Sequence, residues 1–190
     1  KPEKVEVDDR GSIDTCSSGL SKEAARIRGW GTVMRSAYNP FMALMEGRLD
    51  SIVSRQQIQQ WWNTESLHEP AAYGEELGQA TPLSEDELKQ AGKYQFDVWC
   101  AGYNWLQSNR QSALDVRDYI ENTVLAHYRE HASVSPEQAD QMKVILVTHS
   151  MGGLVARSLT QLHGYKRVLG VVHGVQPSIG SSAIYHHMRC

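Results

Sequence analysis

The segment Val144-Ile145-Leu146-Val147-Thr148-His149-Ser150-Met151-Gly152-Gly153-Leu154-Val155-Ala156-Arg157 constrains this chain more than any other. Four apolar residues in succession read as a buried strand of a parallel sheet. A serine follows at once, and a helix opens with two glycines. That order is the context of a nucleophile elbow, where a strained backbone lifts the serine hydroxyl clear of the sheet. Ser150 is therefore the candidate nucleophile. Gly152 leaves room beside the elbow, and Gly153 lets the helix pack close to the strand. Thr148 stands where the G-x-S-x-G pattern has its first glycine; a β-branched residue suits a strand end but tightens the site. The blander alternative is a buried strand followed by a helix with a serine N-cap.

A serine elbow needs a relay, and in chain order an acid and then a histidine follow the serine. From Met151 to Cys190 there is no Asp or Glu, and the last acid is Asp140. The triad acid and histidine are thus expected outside these 190 residues, which begin with Lys1 and read as a piece of a longer protein. His149 lies on the elbow itself, and His173 lies on or just after the next strand. Neither suits the relay, and nor do the adjacent His186 and His187. That pair has no carboxylate or cysteine pair beside it, so no metal and no cofactor are expected.

Residues 1–22 read as an exposed polar arm, and 23–190 as part of one domain with a helical insertion at about 40–93. Ala25 to Arg28 reads as a short strand before a tight Arg28-Gly29-Trp30-Gly31 turn. Asn39-Pro40 reads as an N-cap with proline at the first helical position, opening a helix broken at Gly47 and resumed from Asp50 to Trp62. Met42, Leu44, Met45, Ile52, Val53, Ile58, Trp61 and Trp62 make this stretch apolar. It reads either as a lid that meets lipid or as helices packed on the core, with at least one indole exposed.

Residues 63–83 read as loop, and Ser84 with Glu87 as a capping box for a short helix ending near Gly92. Alternation from Tyr94 to Ala101 predicts a strand. Ser108 or Asn109 caps a long helix whose inner face is Ala113, Val116, Ile120, Val124 and His127. Ser135-Pro136 marks a turn, Gly164 ends the helix after Ser150, and Val168 to Val172 is the next strand. Strands alternating with helices imply a parallel sheet.

A net charge of −3 gives no basic footprint for nucleic acid. No run approaches the ~18 apolar residues of a membrane span. Cys16, Cys100 and Cys190 are an odd number at unrelated spacings, which speaks against a disulfide framework and leans towards synthesis in a reducing compartment.

Three segments together carry a resemblance. Gly102-Tyr103-Asn104-Trp105-Leu106-Gln107-Ser108-Asn109 is similar to the Tyr-Asp-Trp-Arg loop of lecithin–cholesterol acyltransferase-like enzymes. His173-Gly174-Val175-Gln176-Pro177-Ser178-Ile179-Gly180-Ser181 falls where bacterial lipases often have Thr-Pro-His-x-Gly-Ser. With the nucleophile segment and Arg28-Gly29-Trp30-Gly31, roughly residues 25 to 190 resemble α/β-hydrolase lipases, and most closely the third class of antibacterial lipase effectors of type VI secretion. The resemblance implies the N-terminal part of an α/β-hydrolase fold, a mostly parallel sheet with flanking helices.

It also implies a serine esterase, with a phospholipid at a membrane surface as substrate. Such effectors are made in the bacterial cytoplasm and carried by the secretion spike or an adaptor protein. They act in the target-cell periplasm and are countered by a cognate immunity protein. In such a site the Met151 N–H holds the oxyanion, and Trp30 or Gly31 offers the second donor. Tyr103 and Trp105 would line an acyl pocket. An ordinary turn with Trp30 as a core anchor, and aromatics that merely pack, remain the plainer alternatives. An acyltransferase on the same scaffold, or a hydrolase-like binding module without chemistry, are the competing functions.

Overall fold

The computed structural model describes residues 5–16, 18–55, 57–62, 82–131, 134–182 and 186. Most of the loop expected at 63–83, together with His187 and Cys190, lies outside them. Two compact units form, Asp9–Cys100 and Lys1–Asp8 with Ala101–Cys190.

In the first unit, α1 (Lys22–Ile27) occupies the stretch expected as a strand. The Ser21 hydroxyl accepts from the Ala24 N–H at 3.1 Å, and Glu23 and Arg26 complement the helix dipole at its two ends. Local capping thus decides the segment. Gly29, at φ 78°, turns the chain into a 3-10 helix over Trp30–Thr32. Helix α2 (Arg35–Leu49) starts before Asn39, runs through Pro40 and does not break at Gly47. Asn39 is no cap. It is fully buried, accepts from the Asp14 N–H at 2.7 Å and donates to the Trp30 carbonyl at 3.4 Å. Residues 5–16 are mostly exposed, but Ile13 enters the core of Ala25, Trp30, Met42, Ala43 and Val98.

The helix expected from Asp50 to Trp62 is instead an antiparallel hairpin, β1 (Val53–Ser54) with β2 (Gln57–Ile58), followed by a 3-10 turn. Arg55, at φ 51°, makes the reversal that a helix could not. Trp61 and Trp62 stack at 4.3 Å and both are half-buried, so neither indole is exposed as expected. Met34, Phe41 and Leu44 do stand out in solvent. The Ser84–Glu87 capping box opens α3 (Glu85–Ala91) as expected.

The run expected as a strand over Tyr94–Ala101 is extended but joins no ladder among the described residues. Side chains take its backbone donors instead. Phe96 N–H donates to Asp50 Oδ1 (2.9 Å) and Val98 N–H to Glu46 Oε2 (2.7 Å). The Val98 carbonyl accepts from Trp30 Nε1 at 2.9 Å, and Cys100 N–H donates to the Arg28 carbonyl at 2.8 Å. Burial pushes the Cys100 thiol up to about 11, so it stays a neutral core group. Glu46, Asp50 and Asp97 bring carboxylate oxygens within 4.8 Å of one another. Arg28 bridges Glu46 and Asp97, and the Phe96 and Val98 N–H groups use further oxygens. Burial still holds the Glu46 carboxyl above its usual range. With one guanidinium among three carboxylates, the cluster anchors the extended run through these hydrogen bonds and the Arg28 bridge.

In the second unit, Ser108 caps α4 (Asn109–Tyr119), which passes through a π turn at Ile120–Val124 into α5 (Leu125–His131). Ala113, Val116, Ile120 and Leu125 pack with Val155 and Leu159. Ser135-Pro136 begins a short helix, α6 (Pro136–Gln141), rather than a bare turn, because Ser135 and Gln138 form a second capping box with proline at the helix start. Strand β3 (Val144–His149) pairs in parallel with β4 (Val168–Gly174). Between them lies α7 (Gly152–Arg157), extended by a π turn at Ser158–Leu162 and closed at Gly164, φ 60°. One face of the pair packs on the helices through Val144, Leu146 and Val168. On the other, Ile145, Val147, Leu169 and Val172 are exposed among the described residues.

Candidate active site

Ser150 ends β3 and leads into α7 with φ 51°. A residue with a Cβ enters this left-handed region at a cost of roughly 1–2 kcal/mol. Neighbours hold it there. Ser150 N–H donates to the Gly174 carbonyl at 2.8 Å, and the Ser150 carbonyl accepts from the Gly153 N–H at 3.0 Å. The register places Gly174 opposite His149 and His173 opposite Thr148. Strand pairing and the first helical turn therefore both fix the strained residue, which is how such conformations persist.

The glycines divide their work differently from the sequence reading. A Cβ on Gly152 would meet Thr148 Cβ at 3.6 Å and Tyr103 Oη at 3.7 Å, ordinary contacts. A Cβ on Gly153 would stand 2.7 Å from Gln176 Cγ and 3.0 Å from Gln176 Cβ. Gly153 is thus the position with no room for a side chain, and the obstacle is the loop after β4. Gln176 Nε2 is buried there without a hydrogen-bond partner among the described residues. Gln176 carries no signal in its own sequence neighbourhood, because only the β3–β4 register brings it to the elbow. Thr148 uses its hydroxyl on the Val172 carbonyl and His173 Nδ1, each at 3.2 Å, so both Thr148 and His173 are occupied in tying the strands.

Met151 caps α7, at φ −58° and ψ −24°. Backbone N–H groups at such a helix start have no acceptor within the helix and face outward. Tyr103 is half-buried on the helical core, with its hydroxyl beside Gly152. Trp105 is 69% exposed and takes no part in that cluster. Trp30 and Gly31 lie in the other unit. Trp30 is fully buried, and a Cβ on Gly31 would fall 2.1 Å from the Asp9 carbonyl oxygen, so both positions are tightly packed.

Over residues 52–175, a span that includes the elbow, the chain matches the family described as PGAP1-like alpha/beta domain. No curated protein matches it. Among solved structures, that of the Tle4-Tli4 complex holds a chain 72% identical to this one, with a TM-score of 0.95. The match covers 100% of this chain and 37% of that one, so this chain spans well under half the length of that relative. The fold is that of an α/β hydrolase.

Proposed function

We propose that this chain, which belongs to the PGAP1-like alpha/beta domain family, carries the nucleophile of a serine hydrolase that cleaves acyl esters of phospholipids. The observation that carries the reading is Ser150, a non-glycine residue held at φ 51° between a parallel strand and a helix. Its hydroxyl oxygen attacks the ester carbonyl carbon, and a histidine oriented by an acid, both supplied elsewhere in the whole protein, takes the proton. The oxyanion is met by the Met151 N–H together with a second backbone N–H. The alcohol leaves, water attacks the acyl-enzyme, and Ser150 is restored. Tyr103 borders the acyl group at the elbow, and Trp105, in solvent, is available to touch lipid.

The biological setting follows the relative. A 72% identical chain was solved in the Tle4-Tli4 complex. We read this chain likewise as part of an antibacterial lipase effector of type VI secretion, with a cognate immunity protein as partner and a secretion spike or adaptor as carrier. It would be made in the cytoplasm and act in the target periplasm. No helix among the described residues is long and apolar enough to cross a membrane. Met34, Phe41 and Leu44, exposed on and beside α2, supply an apolar face that suits a lipid surface.

Toxicity is the test of this setting. The full-length protein exported to the periplasm of a Gram-negative host should arrest growth and release fatty acid from the envelope. Co-expressed immunity protein should suppress both effects. Equal toxicity of the Ser150→Ala form at equal abundance would reject the lipase-effector reading.

A further inference from the structure

In the unit that holds Ser150, two residues with a side chain take the left-handed conformation among the described residues. Ser150 does so after β3, at φ 51°, and Val175 after β4, at φ 48°. The two turns are joined, because Ser150 N–H donates to the carbonyl of Gly174, the residue before Val175, at 2.8 Å. A branched Cβ makes this conformation especially unfavourable for valine. Burial of its own side chain does not offset that strain, since Val175 is 75% exposed. The turn instead delivers the next residue inward. Gln176 Cβ, Cγ and Cδ lie 2.7–3.0 Å from the point that a Gly153 Cβ would occupy. Gly153 N–H in turn donates to the Ser150 carbonyl at 3.0 Å, so Gln176 rests on a residue bonded to the nucleophile.

Gln176 Nε2 is buried without a hydrogen-bond partner among the described residues, which is unfavourable for a donor. Methionine, unbranched and of similar length, would fill the same space without that penalty. Packing therefore does not account for an amide here. We propose that Gln176 is a positioning residue for ester hydrolysis at Ser150. Its stem holds the first turn of α7, which carries the Met151 N–H. Its amide sets an uncompensated dipole beside the elbow, where negative charge develops as the ester is attacked. Such a dipole is already oriented before the reaction and acts strongly where water is excluded. It acts through the Gly153 turn and not by touching the ester. It should therefore favour the transition state over bound substrate, and be felt in kcat more than in KM. The inference rests on the serine-hydrolase reading of Ser150.

The full-length protein is assayed with a soluble p-nitrophenyl ester, whose turnover needs no lipid surface. Gln176→Met should lower kcat about tenfold with little change in KM. Its urea midpoint should equal or exceed that of wild type, because a buried unpaired donor has been removed. A side chain that served packing alone would lose activity only in step with stability. Gln176→Glu keeps the shape and puts a negative charge in place of the donor, so its kcat should fall about 100-fold. The ratio of its kcat to that of wild type should rise as pH falls, since a protonated carboxyl offers an O–H donor again. Wild-type kcat in Gln176→Met overturns the inference. So does a loss of kcat that tracks a lower urea midpoint in both variants, with a Gln176→Glu ratio flat in pH. A wild-type protein that hydrolyses no ester and takes no fluorophosphonate on Ser150 overturns the hydrolase reading and this inference together, so the two failures are told apart.

Discussion

Replacing Ser150 with Ala in the full-length protein is expected to lower ester hydrolysis on the order of 10⁴-fold or more, because the covalent step loses its nucleophile outright. A second substitution separates chemistry from structure. Ser150 holds φ 51°, where a Cβ is strained and glycine is not. Ser150→Gly should therefore also abolish turnover while raising unfolding stability, by about 1 kcal/mol. A position that is destabilised by its own side chain, and loses function when relieved of it, is what a strained catalytic residue predicts. If both variants turned over ester normally, the elbow would be a structural turn. Urea unfolding and steady-state turnover on the same preparations give both readouts.

The largest expected loss of stability lies at Trp30. It is fully buried at the centre of the first unit's core, and its Nε1 donates to the Val98 carbonyl at 2.9 Å. Trp30→Ala should cost about 3–5 kcal/mol from lost burial and the cavity left behind. That is a large share of the roughly 5–15 kcal/mol that keeps a domain folded. Trp30→Phe keeps most of the packing but leaves the Val98 carbonyl without its donor, a loss of about 1–3 kcal/mol. The ordering Ala worse than Phe worse than wild type, read by chemical denaturation, tests whether shape and hydrogen bond both count. Equal stability of Trp30→Phe and wild type would mean that the indole N–H contributes nothing.

The parts of this molecule legible from sequence are those whose causes are local. Ser84 with Glu87, Ser108, and the Val144–Arg157 strand–serine–helix run each carry their determinants within a few residues, and each forms as read. Where long-range partners decide, reading failed. Phe96, Val98 and Cys100 alternate as a strand would, but Asp50, Glu46 and the Arg28 carbonyl collect the N–H groups that a ladder needs. Asn39-Pro40 has the composition of a helix start, yet Asn39 is drawn inward by the Asp14 N–H and the Trp30 carbonyl. The same divide runs through the candidate site. Ser150 and Tyr103 are singled out by their neighbours in sequence. Gln176 reaches Gly153 only through strand pairing.

Covalent labelling tests the central claim most directly. Treatment of the full-length protein with a fluorophosphonate, followed by peptide mass spectrometry, should place a single adduct on the Ser150 hydroxyl oxygen. The Ser150→Ala protein should remain unlabelled under the same conditions. An adduct on another residue, or undiminished labelling of Ser150→Ala, would contradict Ser150 as the nucleophile.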